Sequence, residues 1–227
     1  MSFDQRWQTE VYKKNLQINK YPFHQVVSMV LHYFSKEKDR SKINILELGC
    51  GTANNIYFLA KEGFNASGLD GSEHAIKLGR TFLAENGLKA TLLCQDFINL
   101  SNFADQNFDM VIDRGSITHN RRKYIETTIS EVYRVLKSKG IFLSHIFSTK
   151  HSGIEYGKPY GDGSYNSFEG GFFSGLSFTF FFASEQDIIE IYESQFTMVS
   201  KIHNVMEEMM SEEDDYRAMW NLICQKP

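Results

Sequence analysis

The sequence predicts an α/β protein: a single domain around a seven-stranded, mostly parallel sheet with one antiparallel strand and helices on both faces. Three observations support this fold class. Short apolar runs alternate with helical patterns between residues 43 and 147, which is typical of parallel strands joined by helices. Two more apolar runs, 195–202 and 218–225, flank an acidic stretch at 207–215, as in a hairpin. The 227 residues are enough for one sizeable core.

The first strand is predicted at residues 43–48, where apolar and β-branched residues form a short run. Gly49 and Gly51 follow directly. Glycine tolerates a positive φ and lets a ligand approach the backbone with no Cβ in between. A helical apolar pattern starts at Ala53, so the free N–H groups of that helix would face the turn. The pattern therefore predicts a strand, a ligand-binding glycine turn and a helix.

Spacing and charge indicate which kind of nucleotide-like ligand this turn would bind. Dinucleotide sites favour glycine or alanine at the last position of G-x-G-x-x-G, but that position is Asn54 here and the small residue is Ala53. Glu47, just before the turn, would repel a pyrophosphate. S-adenosylmethionine carries an ammonium and a sulfonium instead, so a carboxylate at the end of the strand suits it.

Residues 47–53 resemble the first motif of the class I S-adenosylmethionine-dependent methyltransferases, with Ala53 where a third glycine is usual. The resemblance implies a Rossmann-like fold, S-adenosylmethionine as the cofactor and methyl transfer as the reaction. It also implies that the cofactor is contacted by a set of residues in and around the turn, namely Glu47, Gly49, Cys50, Gly51 and Asn54. The alternative is a structural strand, turn and helix without a ligand.

A second strand is predicted at residues 64–70 and ends in Asp70. This acid lies about 20 residues beyond the glycines, where an acidic residue binds the ribose hydroxyls in doubly wound folds. The resemblance implies the same role, and Gly71 and Ser72 are expected at the cofactor as well. Ser72 is also a favourable N-cap for the next helix. As the alternative, Asp70 is a turn or cap aspartate.

A third strand is predicted at residues 90–95 and is followed by Asp96 and Phe97. The resemblance implies that Asp96 accepts a hydrogen bond from the adenine amino group and that Phe97 packs on the ring. The alternative is a helix-cap aspartate followed by a core phenylalanine.

The fourth strand, residues 107–113, ends in Asp113 at the carboxyl edge of the sheet, where ligands bind in open α/β folds. The resemblance implies that Asp113 and Arg114 line the methionine side of the cofactor. The alternative is an ion pair between these two neighbours, which would contribute little to stability.

Residues 121–137 carry apolar side chains on one helical face. Gly140 is expected to end this helix as a C-cap. The apolar run at 141–147 then predicts the fifth strand.

Residues 1–40 are expected to form a helical cover over the cofactor, with a helix from about residue 24 to residue 35. Residues 19–22, Asn-Lys-Tyr-Pro, together with this helix are similar to methyltransferases that accompany the enzymes of bacterial surface-polysaccharide synthesis. This part of the resemblance implies a sugar-linked substrate.

Residues 148–183 form a long connection after the fifth strand that is rich in glycine and aromatic residues. A connection of this length in a compact domain is usually functional or disordered, and its aromatic content argues against disorder. We interpret it as a substrate lid. Tyrosine and glycine would suit a polar ring such as a sugar.

Transfer of a methyl group to a hydroxyl benefits from a general base. His119 and His145 are the candidate catalytic residues, because both follow or end strands at the edge where the methyl group would lie. His151, at the start of the predicted lid, is a third candidate. No metal cofactor is expected, although His145 and Asp113 form an alternative divalent-cation site.

The composition limits the partners and the location of the protein. A net charge of −4 disfavours general nucleic-acid binding, which needs Lys and Arg to neutralise phosphates. No apolar run approaches 18 residues, so no membrane span is expected, and no signal peptide is recognised. Cys50, Cys94 and Cys224 lack metal-ligand spacing, which favours reduced thiols and a cytoplasmic location.

Together these observations predict a cytoplasmic S-adenosylmethionine-dependent methyltransferase, a monomer or homodimer acting on a small molecule. The expected acceptor is a hydroxyl of a nucleotide-linked sugar in surface-polysaccharide synthesis. Two alternatives stay open: an amine, thiol or protein side chain as the acceptor, and a non-catalytic scaffold that keeps the fold. A nicotinamide dehydrogenase is disfavoured by Glu47 and Asn54.

Overall fold

The computed structural model describes residues 2–210 and 215–227. A short helical segment, Trp7–Tyr12, and helix α1 (His24–Phe34) precede the sheet. The alternating part of the chain then runs through β1 (Asn44–Leu48), α2 (Asn54–Lys61), β2 (Asn65–Asp70), α3 (Glu73–Glu85), β3 (Thr91–Cys94), β4 (Phe108–Asp113), α4 (Arg122–Val135) and β5 (Leu136–Phe147). The remainder contains β6 (Lys158–Pro159), β7 (Ser164–Asn166), β8 (Phe180–Phe181), α5 (Glu185–Ile188), β9 (Thr197–Glu207) and β10 (Tyr216–Gln225).

Seven of these strands form the main sheet in the order β3-β2-β1-β4-β5-β10-β9. The first five strands of the chain pair in parallel. Strand β10 is antiparallel to both of its neighbours, β5 and β9. The predicted fold class, a mostly parallel seven-stranded sheet with one antiparallel strand, is therefore confirmed.

Strand β1 lies inside the sheet and is covered on both faces. Successive side chains point to opposite faces of a strand, so Leu46 and Leu48 pack in the cluster that contains Ile125 of α4, whereas Ile45 packs in the cluster that contains Ile56 of α2. The three β1 side chains are fully buried, which contributes about 1.5–3 kcal/mol each. A strand held in this way fixes the position of the glycine turn that follows it.

The prediction that Gly140 caps a helix is wrong. Helix α4 ends at Val135, and β5 begins at Leu136, so Gly140 lies inside the strand. The pairing of β4 and β5 is irregular here, and Lys139 adopts a positive φ of 64°. A Cβ at residue 140 would lie 2.8 Å from the carbonyl oxygen of Lys137. Glycine is thus needed for a close backbone approach within the irregular strand.

Strands β9 and β10 form the predicted hairpin, and both are longer than the apolar runs that predicted them. Their pairing extends as far as Glu207 opposite Tyr216. The acidic connection predicted at 207–215 lies partly outside the described residues, because 211–214 are not among them.

Residues 148–183 and the N-terminal segment pack against each other above the carboxyl edge of the main sheet. Strands β6, β7 and β8 form a separate three-stranded antiparallel sheet. A buried aromatic cluster that includes Phe173 and Phe180 packs there against Trp7 from the N-terminal segment and Phe147 from β5. In the ranges that the structure describes, no helix is long and apolar enough to span a bilayer.

Candidate active site

A cavity of about 410 Å³ lies at the carboxyl ends of β1, β2 and β4, within the size range of small-molecule sites. The N-terminal segment and the 148–183 segment border it. Its wall on the glycine-turn side includes Tyr12, Glu47, Gly49, Cys50, Gly51, Asn54, Asp70, Gly71, Phe97 and Arg114. A second group of lining residues, most of them linked by ring contacts and called here the second cavity wall, includes Trp7, His119, Asn120, Phe147, His151, Phe172 and Arg217. One continuous cavity thus joins the predicted cofactor residues to a second, aromatic region.

The glycine turn has the left-handed backbone that the sequence pattern predicts. The φ angles are 64° at Gly49, 52° at Gly51 and 69° at Ala53. A Cβ on Gly49 would lie 2.1 Å from Oγ of Ser116, in the loop after β4, and one on Gly51 would lie 3.0 Å from the Tyr12 hydroxyl. The turn therefore needs glycine for its conformation and for its close contact with two other segments.

Asp70, the last residue of the neighbouring strand β2, forms hydrogen bonds that stabilise the glycine turn. Its carboxylate accepts hydrogen bonds from the backbone N–H of Gly51 (3.0 Å) and of Ser72 (2.8 Å). Burial raises the pKa of Asp70 to about 6. Gly71 lines the cavity beside it, whereas Ser72 is fully buried and its hydroxyl accepts from Ala75 N as the N-cap of α3.

Glu47 presents an unsatisfied buried oxygen at this cavity. The Asn55 amide donates to its Oε1 over 2.5 Å, but Oε2 has no hydrogen-bond partner among the described residues. Glu47 is 2% exposed, and burial raises its pKa to about 8, an effect that nearby Asp113 and Asp70 increase. A buried acceptor without a partner is costly, so the site suits a ligand that brings a positively charged donor. The ammonium group of S-adenosylmethionine has that chemistry.

Two asparagines at the start of α2 form hydrogen bonds to the N-terminal cover, residues 1–40. Asn55, which donates to Glu47, also accepts a hydrogen bond from the backbone N–H of Phe23 (2.9 Å). Asn54 donates to the carbonyl oxygen of Tyr21 (2.9 Å). Asn54 thus occupies the position at which a dinucleotide motif has glycine, and its side chain binds the cover instead.

Asp113 and Arg114 lie beside each other but have different surroundings. Asp113 is fully buried and accepts hydrogen bonds from Ser116 N (2.7 Å) and Ser144 Oγ (2.9 Å), so it holds the loop after β4. Burial raises its pKa to about 6. Arg114 lines the cavity with its guanidinium 4.5 Å from the centroid of the Phe23 ring, and its Nε has no partner among the described residues.

Asp96 and Phe97 follow β3 as predicted. Phe97 lines the cavity, whereas Asp96 accepts hydrogen bonds from the N-terminal residues Ser2 and Phe3. The carboxylate of Asp96 therefore already binds residues of the protein's own N-terminal segment.

The three candidate histidines occupy different environments. His119 lines the cavity, with its ring centroid 4.8 Å from those of Trp7 and Phe180, and burial lowers its pKa to about 4. His145 is 1% exposed, lies opposite Asn221 of β10, and is not among the residues that border the cavity. Burial lowers its pKa to about 3, and the positive charge of Arg114 adds to this effect.

His151 borders the cavity, and one hydrogen bond determines which of its ring nitrogens carries the proton. Its Nδ1 accepts a hydrogen bond from Gly153 N (3.0 Å), so the neutral ring carries its proton on Nε2. Burial lowers its pKa to about 4. His151 therefore offers a donor to a ligand and does not suit the role of a base.

Sequence reasoning missed several residues of the second cavity wall. Asn120 is 5% exposed and its Oδ1 has no partner among the described residues. Arg217 reaches the cavity from β10, with its guanidinium 4.5 Å from the Phe172 ring centroid. In the sequence, the only sign that Asn120 lies at the cavity is its position next to His119. No local pattern indicates that Arg217 lies there. Across the described ranges, no group of three or more His, Cys, Asp or Glu side chains could hold a metal ion.

The buried carboxyls predict a pH-dependent stability of the ligand-free protein. Glu47 has a folded pKa of about 8, whereas an unfolded glutamate titrates near pH 4. Its folded form therefore binds the extra proton, and the stability it contributes is complete below about pH 4 and lost as the pH rises through 8. Asp70 and Asp113, at about 6, have finished titrating above pH 7. We expect urea unfolding to show a free energy of unfolding that falls between about pH 7 and pH 8.5.

The Glu47→Gln variant should lose most of this slope, because the amide imitates the protonated carboxyl and does not titrate. Glu85→Gln, at an exposed position of α3, is the matched control and should keep the slope. An unchanged slope in Glu47→Gln would show that another group is responsible.

Residues 45–140 match the family model described as a methyltransferase domain. This match covers β1 to the start of β5 and therefore the glycine turn, Asp70, Asp96 and Asp113. Together with the seven-stranded fold, this match supports the resemblance to the class I S-adenosylmethionine-dependent methyltransferases and S-adenosylmethionine as the cofactor.

The curated relatives include methyltransferases, and solved methyltransferases share the fold. The chain is 31% identical over 125 residues to EEF1A lysine methyltransferase 2 of Mus musculus, covering 52% of this chain and 51% of that protein. A solved S-adenosylmethionine-dependent methyltransferase from Methanosarcina mazei has a TM-score of 0.69 at 22% identity, covering 87% of this chain and 96% of that one. Magnesium protoporphyrin IX methyltransferase from Synechocystis PCC 6803, solved with bound S-adenosylmethionine, has a TM-score of 0.64 at 14% identity, covering 98% and 94%. The chain spans about half the length, or less, of the first curated relatives it matches.

Proposed function

We propose that this protein transfers a methyl group from S-adenosylmethionine to a small-molecule acceptor. The observation that carries the proposal is Oε2 of Glu47, which is buried beside a glycine turn at the carboxyl edge of the sheet and has no hydrogen-bond partner in the described ranges. The cofactor supplies an electrophilic methyl group on a sulfonium. Glu47 would bind its ammonium, and the backbone of Gly49 and Gly51 leaves room for close approach. Holding the cofactor and the acceptor in line supplies much of the rate acceleration.

The acceptor would occupy the second cavity wall. Trp7 and Phe172 offer aromatic surfaces against which a sugar ring can pack, and Asn120 offers a buried amide to its hydroxyls. Arg217 lies at the same wall and would pair with a phosphate, a role that suits a guanidinium. These features support a hydroxyl of a nucleotide-linked sugar as the acceptor, in the synthesis of a surface polysaccharide.

We assign the proton-accepting role to His119, and not to His145. His119 borders the cavity, and its low pKa keeps the ring neutral and able to accept a proton at pH 7. A weak base is sufficient if the hydroxyl loses its proton only as the new carbon–oxygen bond forms. The imidazole would then accept the proton while the aromatic neighbours exclude water.

Replacing His119 by Gln should lower kcat for a hydroxyl acceptor by about 100-fold, the lower end of the usual effect of a general base. The dissociation constant for S-adenosylmethionine should stay within about twofold. Release of S-adenosylhomocysteine, measured with a panel of nucleotide-linked sugars, is the readout. His145→Gln is the control and should retain wild-type turnover.

The same panel should include amine and thiol acceptors, because the lysine methyltransferase of Mus musculus modifies an amine according to its name. Turnover of an amine with no loss in His119→Gln would favour that acceptor class. Full turnover of a hydroxyl acceptor by His119→Gln would refute the assignment of His119.

Location and assembly are part of the same proposal. Cys50, Cys94 and Cys224 are unpaired, which supports a reducing compartment and thus the cytoplasm. We propose a monomer or homodimer without nucleic-acid or membrane partners.

A further inference from the structure

The first described residues of the chain bind the carboxylate of Asp96, to which the resemblance to the methyltransferases assigns the adenine amino group. We call Ser2, Phe3 and Asp4 the N-terminal arm. On Oδ2 of Asp96, the backbone N–H of Ser2 donates over 2.5 Å and that of Phe3 over 3.0 Å. On Oδ1, the Ser2 hydroxyl donates over 2.6 Å and the backbone N–H of Ile98 over 3.3 Å.

These four donors use the whole acceptor capacity of Asp96. An ionised carboxylate offers about four lone-pair sites, and each of its two oxygens already receives two hydrogen bonds. Three of the four come from the N-terminal arm. An adenine amino group can therefore bind Asp96 only after the arm has released at least one of these sites.

The Phe3 ring occupies the neighbouring space. A Cβ on Gly71 would lie 2.2 Å from two atoms of that ring, so the ring packs directly on the backbone after Asp70. Phe3, Gly71 and Phe97 all border the cavity. The arm thus places a planar ring and N–H donors between Asp70 and Asp96. Adenine would be recognised by the same two features, its planar ring and its N–H donor.

The arm is also linked to the acceptor side of the cavity. Arg6 pairs with Asp4 of the arm and donates to the hydroxyl of Ser177 in the 148–183 segment. One residue further, the Trp7 ring lies 4.8 Å from the rings of both His119 and Phe178. Release of the arm would therefore also alter the contacts of the residues that border the acceptor.

We propose that the N-terminal arm is an internal competitor of the cofactor's adenine and leaves Asp96 when S-adenosylmethionine binds. The inference rests on the proposed function, because it takes S-adenosylmethionine as the cofactor and Asp96, as the resemblance implies, as its adenine ligand. If the arm is docked in about ten of every eleven molecules, the apparent affinity for the cofactor is about tenfold weaker than the intrinsic affinity.

Calorimetry with the double variant Ser2→Ala/Phe3→Ala tests the competition. We expect S-adenosylhomocysteine and adenosine, a probe of this subsite alone, to bind about tenfold more tightly than to the wild type. Leu16→Ala is the matched control, because Leu16 belongs to the same N-terminal segment but is 72% exposed. It should bind both probes like the wild type.

Amide NMR of the wild type provides a second measurement. The heteronuclear NOE of the Phe3 and Asp4 amides should fall when S-adenosylhomocysteine is added, because the arm is released. Unchanged or weaker binding by the double variant, or a rise in these NOE values, would refute the competition and make the arm a wall of the cofactor site. Failure of both proteins to bind S-adenosylhomocysteine would instead refute the proposed function itself.

Discussion

Glu47→Gln should weaken the binding of S-adenosylmethionine by about 10- to 100-fold and leave the fold intact. The variant keeps the shape of the side chain and an oxygen that accepts from Asn55. It removes the charge that would bind the ammonium, and a hydrogen bond to a charged group contributes about 1.5–3 kcal/mol. Calorimetric titration of both proteins at one pH measures the difference, and Glu85→Gln serves as the control for a lost surface charge.

The pH dependence of binding makes this prediction specific to Glu47. With a pKa of about 8, its carboxyl is mostly protonated in the ligand-free protein at pH 7. An ammonium ligand needs the carboxylate, so binding should release a proton and tighten as the pH rises from about 6 to about 8. Titrations in two buffers of different ionisation enthalpy measure this proton. Proton release that persists in Glu47→Gln, or equal affinity of the two proteins, would contradict the assignment.

Gly49→Ala should destabilise the protein by about 2–5 kcal/mol and abolish detectable cofactor binding. The left-handed conformation at φ 64° costs an alanine about 1–2 kcal/mol. Overpacking adds about 1–3 kcal/mol, because the new Cβ would lie 2.1 Å from Oγ and 2.4 Å from Cβ of Ser116. Urea unfolding measures the loss. Gly87→Ala is the matched control, since its φ is 67° and no atom lies within 4 Å of the added Cβ.

A double-mutant cycle separates the clash from the backbone cost. Ser116→Gly removes both of the close atoms and leaves the Cα of residue 116 at 3.8 Å, an ordinary contact. Gly49→Ala should therefore cost about 1–3 kcal/mol less in the Ser116→Gly background than in the wild type. Equal costs in the two backgrounds, or a Gly49→Ala variant as stable as Gly87→Ala, would show that the turn does not touch the loop after β4.

The parts of the fold that the sequence predicts well are those set by short-range patterns. The residues of β1 are apolar because the strand is buried on both faces, so the run is visible in the sequence. Gly49 and Gly51 are visible because few other residues adopt their φ angles. Asp70 was found by its distance along the chain from these glycines, and it binds the backbone of the turn in the structure.

The parts that were missed depend on contacts between distant segments. The sequence predicts Gly140 as a helix cap, but it lies in an irregular strand beside β4, where an added Cβ would lie 3.3 Å from the carbonyl oxygen of Asp109. The apolar run at 141–147 places His145 in the fifth strand, as observed, but its pairing opposite Asn221 of β10 has no local signal. The hydrogen bond of Ser2 to Asp96 joins residues 94 positions apart, so this contact also has no local signal in the sequence. Side-chain roles at the cavity thus depend on the tertiary arrangement far more than the strands do.

Calorimetric titration of the wild-type protein with S-adenosylmethionine, with NAD as the comparison, tests whether the glycine turn binds S-adenosylmethionine. We expect saturable binding of one S-adenosylmethionine per chain and no binding of NAD, because Glu47 attracts an ammonium and repels a pyrophosphate. Binding of NAD, or the absence of saturable S-adenosylmethionine binding, would contradict the central claim.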